Sequence, residues 1–243
     1  MGYSLSVYSV PAGAVSNSLS SKDQDLFDRI VASKAKDLKS NDEFFEDDEQ
    51  DEDEEEDVEL SGCLGFIVKI LGKKTEAPVY EGPKSSGPFP KSADLLHALI
   101  FGETLDSRCG AKLGYVFQML VQHLGESEDV GSFEQMRSSS NWTGDFDGLL
   151  KQAGVGREVF SIECKLMERY APIPVPHPYD FPAYGYLLAD EAKLAQPVVQ
   201  ASKIDELAAA HQYGEVAVQA AEAVKGWINK AADQNRDIFG FYY

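Results

Sequence analysis

The chain has few of the side chains from which most catalytic and metal centres are assembled. It holds three cysteines and four histidines in 243 residues. Cys63, Cys109 and Cys164 lie far apart with no CxxC spacing. That sparse, odd count argues against a disulfide framework and fits a reducing cytoplasm. His97 and His123 fall on separate predicted helices, His177 in a proline-rich stretch and His211 in a polar turn, with no HxxxH or HExxH spacing. A structural zinc site needs about four converging ligands, so neither a metal nor a cofactor is expected. There is no G-x-S-x-G elbow, the glycine spacing ahead of "LGKKT" fails the Walker pattern, and "GLLKQAGVGRE" lacks a strand-loop-helix phosphate signature. Catalytic residues are therefore not assigned. Long apolar runs are missing too. "CLGFIVKIL" spans nine residues and contains Lys69, against roughly 20 for a bilayer-crossing helix. The first residues show no basic segment ahead of an apolar run, so no signal peptide is expected.

Basic residues are scarce as well: 22 Lys and Arg face 41 Asp and Glu, a net charge of −19. The imbalance is local. Asp42 to Glu59 holds fourteen carboxylates and no Lys or Arg, and without them the net charge is −5. Such a balance argues against nucleic-acid binding, which needs a basic footprint, and against docking on anionic lipid. It favours a basic protein partner. The run resembles no EF-hand loop, since the glycine turn and alternating ligands are missing. Repulsion between neighbouring carboxylates predicts an acidic flexible, disordered insert over 42–59, with Phe44 and Phe45 anchoring one rim and Val58 and Leu60 the other.

Apolar content of 43% is ample for a core. "YSLSVYSV" alternates like a half-buried strand, and "DIFGFYY" reads as a terminal strand. Leu26, Phe27, Ile30, Val31 and Leu38 form a helical stripe behind Ser20 or Ser21 as cap. A helix capped by Ser92 carries Leu95, Leu96, Leu99 and Ile100 to Gly102, and a more apolar one follows through Leu113, Val116, Phe117, Leu120, Val121 and Leu124 to Gly125. "SGCLGFIVKILG" reads equally as a strand or a short buried helix. "DFDGLLKQAGV" reads as a short helix behind a polar turn containing Trp142, and "FSIECKLM" as a strand with Phe160, Ile162 and Cys164 on one face. "EVAVQAAEAVKGWINKAADQNR" is a long helix with Trp227 on its core stripe. Strands near both ends tie 1–243 into one α/β (α+β) domain, a mixed sheet packed with helices.

One stretch is rich where the rest is poor. Five of eleven prolines fall between Pro172 and Pro182. Each fixes its own φ, removes a donor and extends the residue before it. Pro172, Pro174, Pro176 and Pro178 therefore predict a stiff strap unable to serve as a central strand. Its architectural reading is a rigid crossover into "AYGYL", with Phe181 dropping into the core. Its functional reading is a recognition edge from which His177, Tyr179, Asp180 and Tyr184 project. A catalytic His177–Asp180 pair is a third reading. Asp180, Glu163 and Glu168 are also candidates for paired carboxylates, whose convergence sequence leaves open.

Four segments, "LGYVFQMLVQHLGE", "PVPHPYDFPAYGYL", "AVKGWINKAADQNRDI" and "GFYY", taken in order, resemble an uncharacterised bacterial group related in layout to the YfbM-like family. The resemblance spans roughly residues 90–243. It implies a single α/β domain with a proline strap and no settled activity, and some relatives look like members of toxin–immunity neighbourhoods. The expected function is a non-catalytic cytoplasmic binding protein, an immunity-type inhibitor of a basic toxin or effector. Its expected partner-binding residues are Trp142, His177, Tyr179, Asp180, Tyr184, Asp51, Glu54 and Glu55. The alternative is an enzyme of unrecognised class centred on His177 and Asp180.

Overall fold

A computed structural model describes residues 4–48, 80, 82–84, 87–128, 142–178 and 181–243. Strand β1, Leu5–Pro11, follows from the alternating sequence. It runs antiparallel to β4, Arg236–Tyr242, in a seven-residue register from Leu5 opposite Tyr242 to Pro11 opposite Arg236. Strand β3, Ala183–Leu187, pairs with the other side of β4, and the two-residue β2, Glu126–Ser127, pairs with β1. The order is β2-β1-β4-β3, and all of these pairings are antiparallel. The chain is a mixed α+β fold.

Both faces of this sheet are covered, which alternation alone does not reveal. Leu5, Val7, Leu187, Ile238 and Tyr242 pack on one side. Tyr8, Val10, Tyr184, Phe239 and Phe241 pack on the other. The first face carries helices α5, Trp142–Gln152, α6, Ala189–Ala201, α7, Ile204–Ala209, and α8, Glu215–Gln234. The second carries α1, Ala14–Ser18, α2, Gln24–Asp48, α3, Ser92–Phe101, and α4, Gly110–Leu124. Trp227 lies in the first core, on the α8 stripe where periodicity places it. Phe117 of α4 lies in the second, with ring centroids 5.5 Å from Tyr184 and 6.0 Å from both Phe239 and Phe241. Asp237, 3% exposed, accepts hydrogen bonds from the backbone N–H of Gly13 and of Ala189, each at 2.8 Å. One buried carboxylate thus ties the starts of α1 and α6 to β4.

Several local expectations are corrected. The cap of α2 is Asp23, which accepts from Leu26 N–H at 2.9 Å, while Ser21 only accepts from Asp23 itself. Helix α2 kinks at Lys34 and continues to Asp48, so residues 42–48 of the predicted flexible insert are helical. The cause is visible: Asp42 accepts from the N–H and Oγ of Ser92, each at 2.7 Å, and from Lys112 Nζ at 2.9 Å. Those contacts hold this end of α2 on α3 and α4. The rest of 42–59 lies outside the described residues, as does "SGCLGFIVKILG".

The predicted strand "FSIECKLM" is instead a π-helix, Ile162–Met167. Its first N–H groups find local acceptors. Asp147 of α5 accepts from Ile162 N–H at 2.8 Å and Glu163 N–H at 3.2 Å, and Ser161 Oγ accepts from Cys164 N–H at 3.0 Å. A segment whose leading donors are met this way gains nothing from a sheet ladder. The π-helix lies across two glycines paired in the sheet, Gly185 and Gly240. A Cβ at Gly185 would collide with the Lys165 carbonyl oxygen, and one at Gly240 would sit 2.6 Å from Leu166 Cβ. Cys164, which alternation sets on one face with Phe160 and Ile162, is half-buried while those two are enclosed.

Candidate functional site

Over its described residues, 172–178 and 181–182, the strap forms no strand, as its prolines dictate. Val175, 2% exposed, anchors it in the core beside α4. It crosses the first turn of α4 so closely that a Cβ on Gly110 would overlap the His177 carbonyl. His177 itself is half-buried and stacked on Tyr170, with centroids 4.0 Å apart and planes 11° apart. Burial pushes its pKa below the ordinary histidine value. Phe181 is partly buried against the first core, 5.8 Å from Tyr242.

Two expected contact residues are corrected by their burial. Tyr184 does not project from the strap. It is 0% exposed, on β3, stacked 5.8 Å from Phe241. Trp142 is not in a polar turn. It opens α5, is 1% exposed, and sits 6.3 Å from Tyr242. The physical reason is shared: both faces of the sheet are covered, so the helices packed on one face enclose Tyr184 of β3, and α5 lays Trp142 against the other. Tyr179, Asp180, Asp51, Glu54 and Glu55 lie outside the described residues.

The carboxylates around the π-helix form a second cluster. Glu163 pairs with Arg157 at 3.1 Å and accepts from Thr143 Oγ1 at 3.3 Å. Glu168 closes the π-helix five residues on, and its N–H donates to the Glu163 carbonyl at 2.9 Å. Burial, and then the charge of Glu163, push the Glu168 carboxyl up, while Arg157 pulls it down. Lys165 and Arg169 both reach Glu191 of α6, at 2.9 and 2.5 Å. Burial alone would raise the Glu191 pKa, but the Leu188 N–H and these two cations hold it low. Among the described residues, no group of three His, Cys, Asp or Glu side chains is placed to hold a metal ion.

Asp147 has a consequence that can be measured. Burial raises its pKa to about 6, against the hydrogen bonds from Ser161, Ile162 and Glu163 that favour the anion; the Glu163 charge adds to the rise. A folded-state pKa above the unfolded one means the fold binds that proton more tightly. The associated stability is full below about pH 4 and is lost as pH climbs to about 6. Denaturation of the wild type and of Asp147→Asn across pH 3.5–7.5 checks this. The difference between them is expected to move against the wild type by about 2 kcal/mol between pH 4 and 6. A difference that stays flat over that interval would overturn the assignment.

A third place gathers aromatic rings near the end of α2. Phe44 is 61% exposed, and its ring meets Phe45 at 5.0 Å and 85° and Tyr115 of α4 at 6.4 Å. Tyr115 in turn stacks on Tyr243 at 5.8 Å. Between the two helices lies a depression of about 310 Å³ lined by Asp37, Ser40, Asn41, Phe44, Tyr115 and Met119. Another, of about 280 Å³, lies beside α6 near Glu158 and the exposed Leu194. In the sequence Phe44 and Phe45 read as rim anchors, and nothing there sets Tyr115 opposite them. The available hint is the helical spacing of 37, 40, 41 and 44, a second face beside the Leu26–Ile30–Leu38 stripe.

Residues 83–243 match the family model described as a domain of unknown function (DUF7691), more than half of the chain, and the chain belongs to that family. The match takes in α3 to β4 and leaves out β1, α1 and α2. No curated protein and no solved structure matches. Membership in a family of unknown function is thus shown, and nothing found ties the chain to YfbM-like proteins. Among the described residues, no helix is long and apolar enough to cross a membrane.

Proposed function

We propose that this DUF7691 protein is a non-catalytic binding protein for a basic protein partner, acting in the cytoplasm as an immunity-type inhibitor of a toxin or effector. Kinship in layout to YfbM-like bacterial proteins belongs to the same proposal. The observation that carries it is the position of the negative charge. Fourteen carboxylates begin at Asp42, on a helix end held against α3 and α4 by Ser92 and Lys112. Charge of one sign on a fixed root draws an oppositely charged partner by long-range attraction, which raises on-rates about 10- to 10³-fold. Packed contacts nearby then set how long the complex lasts.

The test is affinity capture of the tagged protein, followed by a salt titration of the isolated pair. A stoichiometric basic partner is expected, with association slowing about tenfold or more from low to high ionic strength. Binding that ignores salt would sink the steering mechanism.

An enzyme centred on His177 draws support from one observation. Tyr170, which carries the imidazole stack, holds φ at +60°, a strained value for a bulky residue that often accompanies function. If a substrate screen finds turnover, His177→Gln is expected to abolish it. Turnover unaffected by that change would remove this reading.

A further inference from the structure

Helix α2 is held in two halves by different forces. Its first half carries Leu26 and Ile30 into the second core, with Phe27 and Val31 packed against them. Helical geometry breaks at Lys34, where φ is −113° and ψ is 16°. The cause is local: Ser33 Oγ donates back to the Ile30 carbonyl at 3.2 Å, in competition with the backbone ladder. The break is pinned from α4, since Lys34 Nζ donates to Gln122 Oε1 at 2.7 Å and Ser33 Oγ lies 3.2 Å from His123 Nδ1. Beyond it, the buried side chains among those described are Leu38 and Asn41. This second half closes on a polar notch. Asn41 Nδ2 donates to Ser92 Oγ at 3.0 Å and to the Lys112 carbonyl at 3.3 Å. One oxygen of Asp42 accepts from the Ser92 N–H, the Ser92 hydroxyl and the Lys112 ammonium. Burial alone would raise the Asp42 carboxyl, but Ser92 and Lys112 hold it low, so the pair is charged at neutral pH. The Lys112 side chain is only 4% exposed. A buried ion pair is exacting in geometry yet adds little net stability, because desolvation offsets its attraction. Apolar burial in the first half has no such offset.

We infer that residues 35–48 form a hinged arm, latched by Asn41 and Asp42 into the notch of Ser92 and Lys112, which swings open at Lys34 while residues 24–33 stay docked. Opening returns both ions of the latch to water, so neither is left buried and unpaired. It bares the Lys112 ammonium and parts Asn41 and Phe44 from Tyr115 and Met119, with which they line one depression. The arm is a lid on this part of α4, and it sets where the Asp42 end of α2 points. It needs no partner to open, so its motion is independent of the binding role proposed above.

Hydrogen exchange of the full chain at neutral pH, read by mass spectrometry, tests the arm. In the wild type, residues 35–48 are expected to exchange at least about tenfold faster than 24–33. Sub-denaturing urea leaves the rate of the arm nearly flat, because its opening exposes little surface, and speeds exchange over 24–33. Asp42→Asn weakens the latch and is expected to raise exchange over 35–48 by about a further tenfold, with 24–33 and β4 unchanged. Asp42→Asn combined with Lys112→Met keeps an acceptor for Ser92 and removes the stranded ammonium, which brings the arm back toward the wild-type rate. If 24–33 and 35–48 exchange together, in the wild type or in Asp42→Asn, α2 leaves as one piece and the hinge is overturned. Exchange over 35–48 that ignores Asp42→Asn overturns the latch. Should Asp42→Asn unfold, seen as faster exchange in β4 as well, the wild-type urea series alone decides: equal urea dependence of the two halves overturns the arm, and a flat response confined to 35–48 supports it.

Discussion

Phe117→Ala is expected to lower the unfolding free energy by about 3–5 kcal/mol, the cost of removing a large aromatic from a core that cannot collapse around the space. Phe117 is 1% exposed, and three aromatic rings from two strands surround it at 5.5–6.0 Å. Those rings sit on the rigid β3–β4 pair, whose backbone is also held from the far face by the π-helix. Relaxation into the vacancy is therefore restricted. Beyond the transfer cost, the edge-to-face contact with Phe239 and the tilted contacts with Tyr184 and Phe241 are lost, adding about 0.5–1.5 kcal/mol for such aromatic geometry. Urea unfolding followed by fluorescence gives the comparison, with Leu194→Ala, 76% exposed in the wild type, as a control expected within about 0.5 kcal/mol of it. A Phe117→Ala loss below about 1 kcal/mol would mean that α4 does not pack on the sheet as described.

The second large effect comes from adding one methyl group. Gly185→Ala places a Cβ against the Lys165 carbonyl oxygen and within 3.1 Å of Arg169. The obstacle is backbone, not the end of a mobile side chain. That backbone is pinned at both ends: Asp147 holds the first N–H groups of the π-helix, and Glu191 holds Lys165 and Arg169. The strand cannot retreat either, because Gly185 pairs with Gly240, which faces Leu166 of the same π-helix. A loss of about 3 kcal/mol is expected, the upper range for overpacking. Gly148→Ala is the matched control. It lies inside α5, and a methyl group there would meet nothing within 4 Å, so alanine is expected to stabilise by about 0.5–1 kcal/mol. Equal and small effects at both positions would contradict the packing of the π-helix on the sheet.

The elements that are legible in the sequence are those whose local pattern and tertiary role coincide. The alternation of β1 and β4, the stripes of α3, α4 and α8, and the stop at Gly102, where φ is +71°, are of this kind. The failures have tertiary causes. "FSIECKLM" alternates like a strand, but Asp147, fourteen residues upstream of Ser161, supplies the acceptors that turn it into a π-helix. Asp42 has the composition of a mobile acidic tract, yet Ser92 and Lys112, both distant in sequence, recruit it into the fold. Tyr184 and Trp142 read as available because a single chain position says nothing about which face a neighbouring helix will cover. For the same reason the groove between α2 and α4 is only half visible: Phe44 announces itself beside the carboxylates, and Tyr115 and Met119 do not. The strap is the reverse case, since proline restricts its own backbone whatever lies around it.

The pairing of β1 with β4 also has a consequence in time. Residues 5–11 find their hydrogen-bond partners at 236–242, and β3 finds its partner there too. During translation at roughly 5–20 residues per second, β1 leaves the ribosome on the order of ten seconds or more before the strand that will complete it. Through that interval β1 lacks its β4 partner, and β3, once made, lacks it too, the state in which strands recruit the wrong neighbour. Strand β4 is the keystone of the sheet, so cooperative assembly waits for it, and the long separation between partners predicts slow folding for a chain so rich in helix.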